Sequence, residues 1–273
     1  MHTAGYAQHR IWLSKRSRGA ALRALLLRRH AGAPQTEGSY VLPLALQGSK
    51  REFGSVALKS AKPAIALGAV ILGAGRSSRM GQPKLLLPWG ETTVLGHLAR
   101  QWSELGARQV AVVTAAADAA LETELQRLNF PSENRIRNHA PERGMFSSIQ
   151  CAAQWPGWSS TLTHWAILLG DQPHLRVGTL QSVITFAAMH PDQAVQPARN
   201  GRPRHPVLLP KALFRELAAS TAPDLKEFLS RHESALCECG DPGLDLDIDR
   251  PEDYDRALSL AFSAAHVLPQ SIR

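Results

Sequence analysis

The chain has 273 residues, 44% of them hydrophobic, enough for one large α/β domain or two small ones. No run approaches the about 20 consecutive apolar residues of a membrane span. The formal net charge of +8 suggests nucleic acid, but residues 1–67 hold eleven Lys/Arg against two Asp/Glu, and residues 68–273 hold twenty against twenty-one. The basicity therefore belongs to the first quarter, which has few aromatics and no recognisable binding module, so neither nucleic acid nor membrane is expected as a partner.

Residues 10–32 have the pattern of a short basic amphipathic helix, arginine-rich and acid-poor like a transit peptide or a membrane-surface segment. The plainer expectation for 1–67 is a disordered extension or a start-site artefact, because no methionine lies between Met1 and Met80 and a start at Val56 leaves a short lead into the first strand. The domain is expected over 68–262, with a tail from 263 to 273. Gly68–Leu72 reads as a buried strand, Thr92–Leu105 as a helix with Val94, Leu95, Leu98 and Leu105 on one stripe, and Gln109–Thr114 as a second strand. Asp118–Leu128 is a helix with acid at its start, Arg135–Asn138 a short strand, Gly144–Gln154 a helix and Trp165–Leu169 a buried strand. Val177–Met189 is a helix, Ala194–Pro197 and Pro206–Leu209 are strands, and Lys211–Ala218 and Asp224–Arg231 are helices. Leu246–Ile248 is expected to be extended, before a final helix over Pro251–Ala261 with proline in its first turn. Such alternation predicts an α/β fold with a mostly parallel sheet and helices on both faces, its ligand beyond the carboxyl ends of the strands.

Cys151, Cys237 and Cys239 make no disulfide framework and suit a reducing, cytoplasmic setting. Cys237 and Cys239 share one face if they lie on a strand, and no second pair completes a zinc site.

The most informative stretch follows the first strand. Leu72, Gly73, Ala74 and Gly75 lead through Ser77, Ser78, Arg79 and Gly81 to Lys84. Glycines let backbone N–H groups approach phosphate oxygens, and Arg79 and Lys84 add fixed charge. The spacing is neither that of a P-loop nor a dinucleotide fingerprint. Asp171, in Gly170-Asp171-Gln172-Pro173 beyond the apolar run, suits a divalent ion bound to triphosphate, which needs only one or two carboxylates; an Asx-type turn cap is the other reading. Alternation puts Asp245, Asp247 and Asp249 on one face, a grouping that calls for a cation or for solvent, while Asp249 alone reads as a cap for the final helix. Ser147 and Ser148 begin a helix and are able to bond a base or ribose, or to serve only as an ordinary helix start.

Gly-Ala-Gly-x-Ser-x-Arg-Met-Gly-x-x-Lys, continued by Leu85-Leu86-Leu87-Pro88, resembles the signature of the molybdopterin nucleotidyltransferase (NTP transferase) family, over about residues 68–262. Gly73 stands where that signature has alanine. The lysine-leucine tail, Gly170–Pro173 and Asp247-Ile248-Asp249 resemble its cytidylyl branch. The resemblance implies a single Rossmann-like nucleotidyltransferase domain that moves CMP from CTP to a molybdopterin-type phosphorylated acceptor with Mg2+ or Mn2+, with a molybdenum-dependent oxidoreductase as a further partner. It assigns Arg79 to the departing pyrophosphate, Lys84 to the α-phosphate, Asp171 and Asp247 to the metal with Asp249 secondary, Gly73 to Gly75 and Gly81 to the nucleotide, and Ser147 and Ser148 to the base. Arg202 and His205 fall on the acceptor side, in a segment where Arg204 replaces a glycine. Alternatives are the same chemistry with GTP or another phosphate acceptor, and a non-catalytic cofactor-carrying accessory protein.

Overall fold

The computed structural model describes residues 65–75 and 80–262. The basic segment lies almost wholly outside them, as do Ser77, Ser78 and Arg79 of the glycine-rich loop and the tail 263–273. Among the described residues no helix is long and apolar enough to cross a membrane.

The chain runs β1 (Leu67–Leu72), a hairpin of β2 (Pro88–Trp89) and β3 (Thr92–Thr93), α1 (Val94–Glu104), β4 (Gln109–Ala115), α2 (Ala119–Arg127) and β5 (Arg135–Asn138). It continues through α3 (Met145–Gln154), β6 (His164–Leu169), α4 (Val177–Met189), β7 (Ala194–Arg199), β8 (Arg202–Pro203) and β9 (Val207–Pro210). α5 (Lys211–Leu217), α6 (Leu225–Ser230), β10 (Ser234–Glu238) and α7 (Pro251–Phe262) complete it. β1 is central, parallel to β4 on one side and β6 on the other, with β5 parallel to β4 beyond. β9 runs antiparallel to β6 and β7, β8 folds back on β7, and β10 lies parallel to β7 at the edge. The order is β10-β7-β9-β6-β1-β4-β5. All strands of this sheet except β8 and β9 therefore bring their carboxyl ends to one side.

Side chains alternate along a strand, so a strand buried on both faces feeds two cores. Ala69 and Ile71 of β1 pack with α1, α2, α4 and α7 through Leu95, Leu121, Leu180 and Ala257. Val70 joins the opposite core, with Ile149 of α3, Phe214 of α5 and Phe228 of α6. Three helices among the described residues begin on side-chain caps: Thr93 accepts from Gly96 N at 3.2 Å, Asp118 from Leu121 N at 3.0 Å, and Asp224 from Glu227 N at 2.8 Å.

Three local details refine or correct the expectations. Thr92 and Thr93 close a hairpin before α1 starts, because Gly90 turns left-handed at φ +60°. β10 gave no sequence signal: only Cys237 in it is buried, so its pairing with β7 rather than an apolar pattern defines it. Cys239 lies just past its end, where the Cys237 and Cys239 sulfurs are 3.8 Å apart. Leu246 is extended, at φ −119° and ψ 118°, but Leu246–Ile248 pairs with no strand among the described residues. A 3-10 turn over Pro242–Asp245 precedes it, and Asp249 N turns back to Asp247 O at 3.0 Å. That turn breaks the alternation that would have put Asp245, Asp247 and Asp249 on one face.

Candidate active site

A cleft of about 690 Å³ opens at the carboxyl ends of β1, β4 and β6, bounded by Gly73, Gly75, Lys84, Asp118, Ser148 and Asp171. Leu72 and Ala74 also line it. Gly73 leaves β1 with its N–H donated to Val113 O at 2.8 Å. A Cβ at Gly73 would lie 2.9 Å from Leu85 Cδ1, and one at Gly170, after β6, would lie 2.8 Å from Leu85 Cδ2. Leu85 is thus wedged between the ends of two parallel strands. The short 3-10 turn Lys84–Leu86 directs Leu85 into this wedge and leaves Lys84 at the cleft. Gly81 takes φ +69° with open space around its α-carbon, so backbone conformation, not crowding, calls for glycine there.

The charged floor joins three distant segments. Lys84 Nζ donates to Asp249 Oδ1 at 2.7 Å and lies 3.5 Å from Asp171 Oδ2. Gln172 Nε2 donates to Asp247 Oδ1 at 2.8 Å, and Ile248 N donates to Asp171 O at 3.0 Å. Burial, and then the charge of Asp247, push the Asp171 carboxyl up to about 6, against the opposing pull of Lys84. Its Oδ1 is buried without a hydrogen-bond partner among the described residues. A buried, unpaired carboxylate oxygen facing a second carboxylate is costly unless a cation arrives. Among the described residues no group of three or more His, Cys, Asp or Glu forms a metal cage. Two carboxylates nevertheless fit a hard divalent ion that keeps waters and takes its other ligands from phosphate.

Asp245 parts company with the other two aspartates. Arg204 donates to its Oδ1 through Nε at 3.0 Å and Nη2 at 2.7 Å, and Arg199 pairs with its Oδ2. Arg204 first, then Arg199, hold its carboxyl below the ordinary range. Arg202 is exposed on β8. His205, at the entry to β9, is kept neutral by burial against the raising influence of Asp247, and its Nδ1 is buried without a partner among the described residues. These residues lie across Asp171 from the glycine-rich loop, because β9 and β7 follow β6 in the sheet.

Ser147 and Ser148 are both buried, and Asn138 Nδ2 donates to their hydroxyls at 2.8 and 3.0 Å. Ser147 Oγ turns back to Gly144 O at 2.7 Å, which makes it part of the helix start. Ser148 borders the cleft. Asn138 was missed in the sequence, although a polar residue closing a strand was visible there. The roles of Gln172 and Leu85 depend on contacts between segments distant in the chain.

The MobA-like NTP transferase domain model matches residues 69–235, more than half of the chain. The chain belongs to this family. It is a nucleotidyltransferase. It is 26% identical over 190 residues, 69% of its length, to the molybdenum cofactor cytidylyltransferase of Escherichia coli (strain K12), of which it covers 94%. It is 30% identical over 174 residues to the molybdenum cofactor guanylyltransferase of Rhizobium johnstonii, covering 61% of this nucleotidyltransferase and 76% of that protein. The crystal structure of Rv0371C complexed with manganese, from Mycobacterium tuberculosis H37Rv, matches with TM-score 0.51 and 23% identity over 71% of this chain and 98% of that one, a likeness of fold.

Proposed function

We propose that this nucleotidyltransferase moves CMP from CTP to a molybdopterin-type phosphorylated acceptor and releases pyrophosphate. The observation that carries the reading is the Asp171 carboxylate: buried, unpaired at Oδ1, repelled by Asp247, and set beside Lys84 at the floor of a cleft entered from a glycine-rich loop. That arrangement suits Mg2+ or Mn2+ held by Asp171 and Asp247 and carried in with the triphosphate. When bound, the ion neutralises phosphate charge and aligns the two substrates.

The residues of the chain do the positioning. Backbone N–H groups of Ala74 and Gly75 and the turn at Gly81 cradle the triphosphate, with Gly73 lining the cleft beside them, and Arg79 meets the leaving pyrophosphate. Lys84 places its ammonium at the α-phosphate. The acceptor enters over β9, where the neutral His205 imidazole and Arg202 orient its phosphate. Its oxygen attacks the α-phosphorus in line, and the bond to pyrophosphate breaks. A phosphate monoester is already ionised near pH 7, so no strong general base is required. Ser148, bordering the cleft, lies on the side of the base.

Lys84 to Pro88, Gly170 to Pro173 and Asp247 to Asp249 all favour the cytidylyl branch. Incubation with molybdopterin, Mg2+ and each nucleoside triphosphate, reading pyrophosphate release, tests the proposal. The expected result is a preference for CTP over GTP of at least about tenfold in kcat/KM, about 1.4 kcal/mol. Preference for GTP would move the assignment to guanylyl transfer, and no metal-dependent pyrophosphate release with any pair would remove molybdopterin as the acceptor.

A further inference from the structure

We propose that Asp249 is a positioning residue for Lys84: it acts on the nucleotide by fixing the lysine ammonium and does not ligate the metal. The inference rests on the nucleotidyl-transfer reading and deepens it.

The geometry separates the two aspartates of the Asp247-Ile248-Asp249 segment. Asp249 N folds back onto Asp247 O, and Ile248 between them is buried. Their side chains consequently take different partners. Asp247 accepts from Gln172 and is the carboxylate that repels Asp171. Asp249 is met by an ammonium, at 2.7 Å. Lys84 approaches Asp249 more closely than it approaches Asp171, at 3.5 Å. A carboxylate in a short ion pair has its charge largely satisfied, whereas Asp171 presents a buried oxygen with no partner among the described residues.

Lys84 has reason to need a guide. Its backbone is fixed, because the neighbouring Leu85 is wedged between Gly73 and Gly170. Its side chain is a flexible four-carbon stem, and ordering such a stem costs free energy that an anchored ammonium has lost already. The Asp249 side chain is 43% exposed and that of Lys84 18%. The aspartate thus holds the ammonium from the solvent side and keeps it on the cleft wall. Residues 165 positions apart in sequence are joined in this way.

The test pairs two binding measurements on the full chain: CTP affinity by calorimetry in Mg2+, and Mn2+ alone by electron paramagnetic resonance. Asp249→Asn is expected to weaken CTP binding roughly fivefold while leaving Mn2+ affinity within about twofold of the parent. In a Lys84→Ala background it should add nothing further to the loss of CTP affinity. Asp171→Asn, in contrast, should lower Mn2+ affinity about tenfold or more. Loss of Mn2+ affinity in Asp249→Asn comparable to Asp171→Asn would overturn the inference, as would effects of Asp249→Asn and Lys84→Ala on CTP that multiply. If Asp249→Asn does not fold, Asp249→Glu decides. A longer carboxylate still reaches the ammonium and keeps CTP affinity, while a metal ligand shifted by one methylene would lose Mn2+. A parent that binds no nucleoside triphosphate would bring down the transfer reading and the inference together, whereas a parent that binds CTP with multiplying effects removes the inference alone.

Discussion

Replacing Asp171 by asparagine should make the metal-free protein more stable and remove its activity. The folded carboxyl is raised from an ordinary value of 3.8 to about 6, by burial first and then by Asp247. At about 1.4 kcal/mol per tenfold change in proton affinity, keeping this group ionised costs about 3 kcal/mol above pH 7. The value already includes the favourable pull of Lys84, and with the side chain 22% exposed it is an upper figure. Because the folded value lies above the unfolded one, Asp171 favours folding in acid, and this contribution is lost as pH rises through about 6. Asparagine keeps the shape without the charge. Urea unfolding in chelator should therefore show Asp171→Asn up to about 3 kcal/mol more stable than the parent at pH 8, with about half of that gain left at pH 5, where the parent carboxyl is mostly protonated. Millimolar Mg2+ should narrow the gap from the other side, by stabilising the parent alone. A variant no more stable than the parent at pH 8 in chelator, or one whose gain is the same at both pH values, would refute this account of the carboxylate.

Two further outcomes are open to measurement. Gly170→Ala puts a methyl 2.8 Å from Leu85 Cδ2 and should cost about 1–3 kcal/mol, a cost that a Leu85→Ala background should largely relieve because the wedge is gone; additive losses in a double-mutant cycle would show that the cost does not arise from crowding against Leu85. A chain starting at residue 56 should fold with its melting temperature unchanged and retain nucleotidyl transfer, since the acidic and glycine-rich motifs all lie beyond residue 67; a large fall in either would make the basic segment integral.

The sheet was legible because most of its strands are apolar on both faces and its helices carry clear stripes. β1, β4 and β6 fall within one residue of their expected ends for that reason. What escaped was set by partners rather than by pattern. β10 has one buried residue and exists through its pairing with β7, and the β2–β3 hairpin depends on a left-handed Gly90. In the site, Asp171 could be placed because a buried strand aims the residue that follows it. The divergence of Asp245, Asp247 and Asp249 could not, because a single backbone turn and two arginines decide where each carboxylate goes. Asn138 shows the same limit: it organises Ser147 and Ser148 from another element.

The backbone bond from Ile248 N to Asp171 O has a consequence for which ions the proposed metal site would accept. It ties the main chain beside one carboxylate to the main chain of the other, and Gln172, the next residue along, holds the Asp247 side chain as well. Two hydrogen bonds thus tie the Asp247 segment to the chain end that carries Asp171, and both would resist drawing the two carboxylates apart. Mg2+ takes oxygens at about 2.0–2.1 Å, whereas Ca2+ takes more of them at about 2.3–2.6 Å in looser geometry. If Asp171 and Asp247 hold the ion as proposed, a frame braced in this way should favour the smaller radius, with Ca2+ binding more weakly than Mg2+.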